Sequence, residues 1–260
     1  MTILDKIIAR KKEEVAAAKA AVSIKDLEDS KYFELDCPSL KAFLQDPAKT
    51  GIIAEFKRQS PSKGIINDTA LVPDVTRGYE AAGASGISIL TDTDFFGGCY
   101  ADLSLGRDSV EIPILRKDFM IDTYQVYEAK SMGASAILLI AAVLTDARAR
   151  ELGSLAKAMG MDVLMEVHNR EELDLVNHYV DIVGVNNRDL KTFEVSLENS
   201  VKLASYMPAD TVKISESGIY TVEDIRYLRS HGFQGFLIGE NFMREADPGK
   251  ACVEFSAKLR

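Results

Sequence analysis

The 260-residue sequence predicts an α/β fold, an eight-stranded (β/α)8 barrel with an N-terminal helical extension, and three observations carry that prediction. Short, nearly continuous apolar runs alternate with amphipathic stretches, the pattern of a parallel sheet covered by helices. At four places a helix-like stretch ends near a glycine about three residues before the next apolar run, at Gly83, Gly133, Gly160 and Gly232; a glycine there takes the left-handed conformation that stops a helix. About eight such units fit into roughly 210 residues, which favours closure into a barrel over an open doubly wound sheet.

The elements follow in order. Residues 1 to about 50 do not fit the repeat; residues 3–22 carry Ile7, Ile8 and Val15 among many charges, which predicts a helix packed across one end of the barrel. No linker separates this extension, so residues 1–260 read as one domain. Strands are expected at 52–57, 87–90, 113–117, 137–140, 163–165, 182–186, 212–216 and 236–238. Amphipathic stretches at 146–159, 170–179, 197–207 and 221–229 are expected helices, several opened by an Asp, Asn, Ser or Thr suited to an N-cap.

Forty acidic against 31 basic residues leave a formal charge of -9, the wrong sign for a partner of nucleic acid or of an anionic membrane. A small anionic substrate stays open, because screening over about 8 Å leaves anion binding to a few local Lys and Arg residues. Cys37, Cys99 and Cys252 are odd in number and contain no CxxC pair, so neither a disulfide framework nor a zinc cluster is expected, and a reducing cytoplasm fits. No apolar run approaches the length of about 18 residues that a membrane span needs. The expectation is a cytoplasmic monomer acting on a small molecule, without metal or cofactor.

In such a barrel the loops after the strands build the active site, so polar residues closing the strands are its first candidates. The first strand ends Glu55-Phe56-Lys57, the third Arg116-Lys117-Asp118, the fifth Glu166-Val167-His168, the sixth Asn186-Asn187-Arg188 and the seventh Ser215-Glu216-Ser217. Side chains alternate along a strand, so Glu55 shares a face with Lys57, Leu115 with Lys117 and Leu164 with Glu166. Any one of these charges reads equally well as a rim salt bridge; carboxylates, lysines and an amide converging from five strands point instead to chemistry. Small residues that let backbone N–H groups approach an anion occur in Ser60-Pro61-Ser62-Lys63-Gly64, in Ser217-Gly218 and at Gly239, and loops seven and eight are the usual phosphate site of such barrels.

The chain has no HExxH, GxSxG, GxGxxG or GKS/T motif. His178 and His231 read as helix-surface residues, and Lys213 as a core-edge or salt-bridged lysine with imine formation the alternative.

In segments 53–64 (IAEFKRQSPSKG), 90–92 and 95–98 (LTD, FFGG), 113–119 (PILRKDF), 164–168 (LMEVH), 184–190 (GVNNRDL), 215–219 (SESGI) and 237–240 (LIGE), the chain resembles the indole-3-glycerol-phosphate synthase family of ribulose-phosphate-binding barrels. The likeness runs in order along nearly the whole chain. It implies ring closure, decarboxylation and dehydration of 1-(2-carboxyphenylamino)-1-deoxyribulose 5-phosphate, with no cofactor.

By the same resemblance, Lys117 matches the general acid at the substrate ketone. Glu166 and the Glu55 and Lys57 pair match groups of the later steps, and Asn186 and Glu216 match residues that orient the substrate. Ser60, Arg188, Ser217, Gly218, Gly239 and Glu240 match phosphate- or substrate-binding positions, and Phe96 and Phe119 match the walls around the aromatic ring. An ordinary lysine is charged but a sluggish acid, so lowering of Lys117 by Lys57 or by burial is expected. Cys99 and Glu240 depart from the family, which often has Ser at both places. A barrel isomerase of another ribulose phosphate would explain the phosphate loops but not two lysines with three glutamates. A non-catalytic barrel kept for binding or assembly would not need the polar rim.

Overall fold

Parallel strands bury both faces only when the sheet is covered on both sides, or closed on itself and covered outside. The computed structural model, which describes residues 2–189 and 192–259, shows the closed solution; Leu190 of the 184–190 segment lies outside the described residues. The strands are β1 (Ile52–Phe56), β2 (Gly86–Leu90), β3 (Ile114–Lys117), β4 (Ala136–Ile140), β5 (Asp162–Val167), β6 (Ile182–Asn186), β7 (Val212–Glu216) and β8 (Gly235–Ile238). Each pairs in parallel with its predecessor, and β8 closes on β1 through Ile53 opposite Leu237. Strand positions agree with the apolar runs to within two residues.

Before the barrel lie α1 (Ile3–Ala21), α2 (Ile24–Glu28) and α3 (Leu40–Gln45). Between and after the strands come α4 (Val72–Ala81), α5 (Tyr100–Arg107), α6 (Thr123–Ser131), α7 (Asp146–Ala158), α8 (Glu198–Ala204), α9 (Val222–Ser230), α10 (Glu240–Met243) and α11 (Pro248–Ala257). The four glycine stops follow α4, α6, α7 and α9 with φ of 80°, 89°, 76° and 87° at Gly83, Gly133, Gly160 and Gly232.

The fifth repeat differs from expectation. In place of a helix over 170–179 it has a 3-10 helix, Glu171–Leu175. The Asn177 side chain ends it by bonding backbone on both sides, donating to Leu175 O at 3.1 Å and accepting from Tyr179 N at 3.0 Å. His178 therefore lies in an exposed turn and not on a helix, while His231 is exposed at the end of α9. Lys213, near the start of β7, points outward and donates to Ala204 O at 2.6 Å, a core-edge lysine away from the mouth.

Strand alternation divides the apolar residues into two cores. Ala54, Phe56, Ile87, Val163 and Met165 face the helices, whereas Ile53, Leu115, Leu138, Leu164, Ile214 and Leu237 fill the barrel. Leu40 and Leu44 of α3 join the inner core and close the end from which the strands start. Leu40 packs so near β2 that a Cβ on Gly86 would stand 2.5 Å from its Cδ1.

The other end, the mouth, receives α1. Its buried residues are Ile7, Lys11 and Val15, so a lysine sits in the apolar stripe. Lys11 Nζ lies 2.9 Å from Asp92 after β2, 2.9 Å from Asp118 after β3 and 2.6 Å from Glu14. Burial opposes the Lys11 charge, but Asp118, Asp92 and Glu14 outweigh it and raise its pKa above the ordinary lysine range. The extension thus touches both ends of the barrel, α1 at the mouth and α3 at the base, where a single helix at one end was expected.

Two outcomes test this account. Leu40→Ala, which empties the basal plug, should lower the unfolding free energy in urea by about 3 kcal/mol; a change below about 1 kcal/mol would show that α3 is not part of the core. Lys11→Met leaves two buried carboxylates without their ammonium and should cost about 3 kcal/mol by the same measurement. A neutral effect would mean that the docking of α1 does not rest on this charge.

Candidate active site

The inward parity of Ile53 continues through Glu55 to Lys57, that of Leu115 to Lys117, that of Leu164 to Glu166, and that of Ile214 to Glu216, so apolar layers end in a charged layer at the mouth. Lys117 Nζ donates to Glu216 Oε2 at 2.6 Å and to Glu166 Oε2 at 2.9 Å. Asn186 Nδ2 donates to Glu166 Oε1 at 3.1 Å. Lys57 Nζ donates to Glu55 Oε1 at 2.6 Å. All six residues expected to be catalytic, Glu55, Lys57, Lys117, Glu166, Asn186 and Glu216, line one cavity of about 190 Å³.

The electrostatics reverse one expectation. Burial works to lower the Lys117 pKa, but attraction from Glu166, Glu216 and Glu55 outweighs it, and the ammonium is held above its ordinary range. Lowering by burial was the wrong inference because the mouth supplies three carboxylates to offset the lost water. Glu166 is buried too, yet Lys117 and the neighbouring His168 hold it well below the usual carboxylate range. Glu216 goes the other way: burial, with repulsion from Glu166 and Glu55, outweighs Lys117 and pushes it up to about 7. Its Oε1 is buried with no hydrogen-bond partner among the described residues, aimed across β6 at a glycine; a Cβ on Gly184 would stand 2.2 Å from it.

The apolar side of the same cavity holds Phe96 and Phe119, their ring centroids 6.0 Å apart and planes tilted by 38°. Three residues of α1, Ile3, Leu4 and Ile7, also line it. Sequence reasoning missed these and Lys11; the signal was present in the spacing of Ile7, Lys11 and Val15 along one helix face.

A smaller adjoining cavity is bounded by Lys57, Arg188, Ser217, Gly218, Gly239 and Glu240. Ser217 and Gly218 both have positive φ, 68° and 79°. For a serine that conformation costs about 1–3 kcal/mol and persists only where the surroundings enforce it. Here Asn187 does so, its Nδ2 donating to Ser217 O at 3.0 Å and to Ser215 Oγ at 2.8 Å. Asn187 is thus a buried support for the loop after β7. Ser60 reaches the larger cavity from a two-stranded ribbon of Gln59–Ser60 with Gly64–Ile65.

The two departures from the family pattern have plain settings. The Glu240 carboxylate pairs with Lys63 Nζ at 3.4 Å, in the loop after β1. Cys99 is the N-cap of α5, its N–H donating to Asp102 Oδ2 at 3.2 Å.

A family model for indole-3-glycerol phosphate synthase matches residues 4–255. An indole-3-glycerol phosphate synthase of Bacteroides thetaiotaomicron is 47% identical over 253 residues, covering 97% of each chain. Another, of Polynucleobacter asymbioticus, is 42% identical over 264 residues, covering 98% of this chain and 99% of its own. Among solved structures, a chain of the tryptophan synthase complex from Pyrococcus furiosus superposes with a TM-score of 0.59 at 14% identity, covering 82% of this chain and 98% of that one. A structure described as native KDPGal gives 0.57 at 15%, covering 80% and 91%. At such identities the likeness is one of barrel fold alone. The full-length match to the family model and relatives above 40% identity, on a mouth built from the expected residues, show that this chain belongs to the indole-3-glycerol phosphate synthase family.

Proposed function

We propose that this chain is an indole-3-glycerol-phosphate synthase that closes 1-(2-carboxyphenylamino)-1-deoxyribulose 5-phosphate to indole-3-glycerol phosphate with loss of carbon dioxide and water. The observation that carries the reading is the Lys117 ammonium held between Glu166 and Glu216, in one cavity with the paired Phe96 and Phe119 rings. The planar anthranilate ring suits those aromatic walls. The phosphate suits the backbone N–H groups around Ser217, Gly218, Gly239 and Glu240, with Arg188 and Lys57 lining the same space and Ser60 lining the adjoining larger cavity. Glu240 contributes its backbone, since its carboxylate is turned to Lys63.

The ring carbon bearing the carboxylate attacks the ketone carbon, a carbon–carbon bond forms, and the ketone oxygen becomes an alkoxide. Lys117 donates a proton to that oxygen. Its raised pKa does not impede the step, because an alkoxide is far more basic than a lysine amine, and a fixed ammonium stabilises the charge as it develops. The carboxylate then leaves as carbon dioxide and the ring regains aromaticity. Dehydration needs one group to protonate the departing hydroxyl and another to take a proton from the adjacent carbon. Lys57 with Glu55, 2.6 Å apart, and Glu166 are assigned to these steps. Asn186 fixes Glu166, and Glu216, which holds Lys117 through Oε2, is assigned to orienting the substrate. The working unit is proposed to be one monomeric domain in the cytoplasm; Cys37, Cys99 and Cys252 are all unpaired, which suits a reducing compartment.

The chain contains no Trp, so the indole product should fluoresce over a weak protein background when the anthranilate-derived ribulose phosphate is added without metal or nucleotide. A flat trace from folded protein would refute the reading. Lys117→Ala should lower kcat by about 10²- to 10⁴-fold while substrate binding, measured by titration, changes far less. Near-normal turnover in that variant would remove Lys117 from the acid role.

A further inference from the structure

His168 follows β5 directly, and its imidazole stands between two carboxylates. Nε2 lies 3.3 Å from Glu166 Oε1 and Nδ1 lies 3.1 Å from Glu172 Oε2. The ring is fixed from its backbone outward. His168 N donates to Glu172 Oε2 at 2.7 Å, Asn199 Nδ2 donates to His168 O at 3.0 Å, and Asn169 exchanges two hydrogen bonds with Glu172. A neutral imidazole has one N–H and one lone pair, so one of the two carboxylates would face a lone pair; only the doubly protonated ring suits both. Nε2 is buried and makes no well-aligned hydrogen bond in this arrangement, so it sits beside Glu166 as an ion pair with capacity to spare.

The charges of the mouth give that capacity a use. In their ion pairs among the described residues, Glu55, Glu166 and Glu216 share two ammoniums, Lys57 and Lys117. When Lys117 turns to the substrate oxygen, Glu166 keeps only the neutral Asn186 amide and His168, beside a substrate that brings a carboxylate and a phosphate. A buried carboxylate so placed would take up a proton and cease to act as a base.

We infer that His168 is a positioning residue, an imidazolium that keeps Glu166 ionised and aimed while Lys117 engages the substrate, with Glu172 locking the ring from behind. This rests on the synthase reading above. Burial disfavours the charged ring, but the hydrogen bond to Glu172 and the attraction of both carboxylates outweigh it and raise His168 to about 10, in keeping with the geometry. The charged groups that face the pair are Lys117 from β3, Glu216 from β7 and Glu172 from the 3-10 turn; β6 and α8 contribute the neutral Asn186 and Asn199.

The test uses the full-length enzyme and the anthranilate-derived ribulose phosphate. Removing a cation beside Glu166 raises that carboxyl's pKa, so the ionised form is lost at higher pH. In His168→Gln, kcat should fall about tenfold or more with KM nearly unchanged because Glu166 loses its aim, and the acid limb that Glu166 sets in the substrate complex, once Lys117 has turned to the substrate, should move up by about one unit, the low end of what an adjacent opposite charge contributes. Glu172→Gln should move the limb the same way by less. Independently of any variant's folding, nitrogen NMR of the wild-type ring should show both nitrogens protonated at neutral pH. A singly protonated ring, or a Gln profile superimposable on the wild type, overturns the inference. A wild type that forms no indole product instead overturns the synthase reading, which separates the two failures.

Discussion

Lys117 is an ammonium taken out of water and held there by two carboxylates, and much of the mouth is organised around that constraint. The loss of hydration costs several kcal/mol per buried ion, and it is tolerable only when partners stand at hydrogen-bond distance. Glu166 and Glu216 meet the ammonium at 2.9 and 2.6 Å. Asn186 and His168 attend to the far side of Glu166, and the glycine at 184 leaves room for the far side of Glu216. These partners come from β5, β6 and β7, so the cluster exists only if the barrel closes with its strands in this register.

The same economy of burial explains the two ends of the extension. At the base, α3 brings Leu40 and Leu44 into an apolar core that needs only to be filled. At the mouth, α1 brings Lys11 to Asp92 and Asp118, the residues that follow β2 and β3. Asp118 is also bound by the fully buried Arg116, which reaches Glu128 on α6. The chain immediately after Lys117 is therefore clamped from two directions, and the Lys117 ammonium emerges from a rigid support.

The overall charge of -9 has little bearing on the mouth, where cations and carboxylates nearly balance. Such a site is charged without being strongly anionic, which suits a substrate carrying a phosphate and a carboxylate. In the proposed function, tasks are separated in space: the Phe96 and Phe119 rings for the flat part of the substrate, backbone N–H groups for the phosphate, and the lysine–glutamate cluster for the bonds that change. The strained Ser217 backbone, held by Asn187, lies on the side proposed for the phosphate, where close approach of the chain to an anion is most useful.

The alternation of apolar runs with amphipathic stretches, the glycines that stop four helices and the polar residues closing five strands were legible because each depends on neighbours within a turn or a few strand positions. The fifth repeat was misjudged where one side chain, Asn177, captured the backbone in competition with a helix that the periodicity allowed. The residue types by themselves determined the barrel and the set of groups at its mouth. Only the tertiary structure decided how those groups pair: Lys117 lies 49 and 99 residues from its two carboxylates, and the sign of its pKa shift depends on distances across the barrel that no local pattern encodes. The burial of Lys11 and the charging of His168 were settled the same way, by carboxylates that folding brings from other strands and turns.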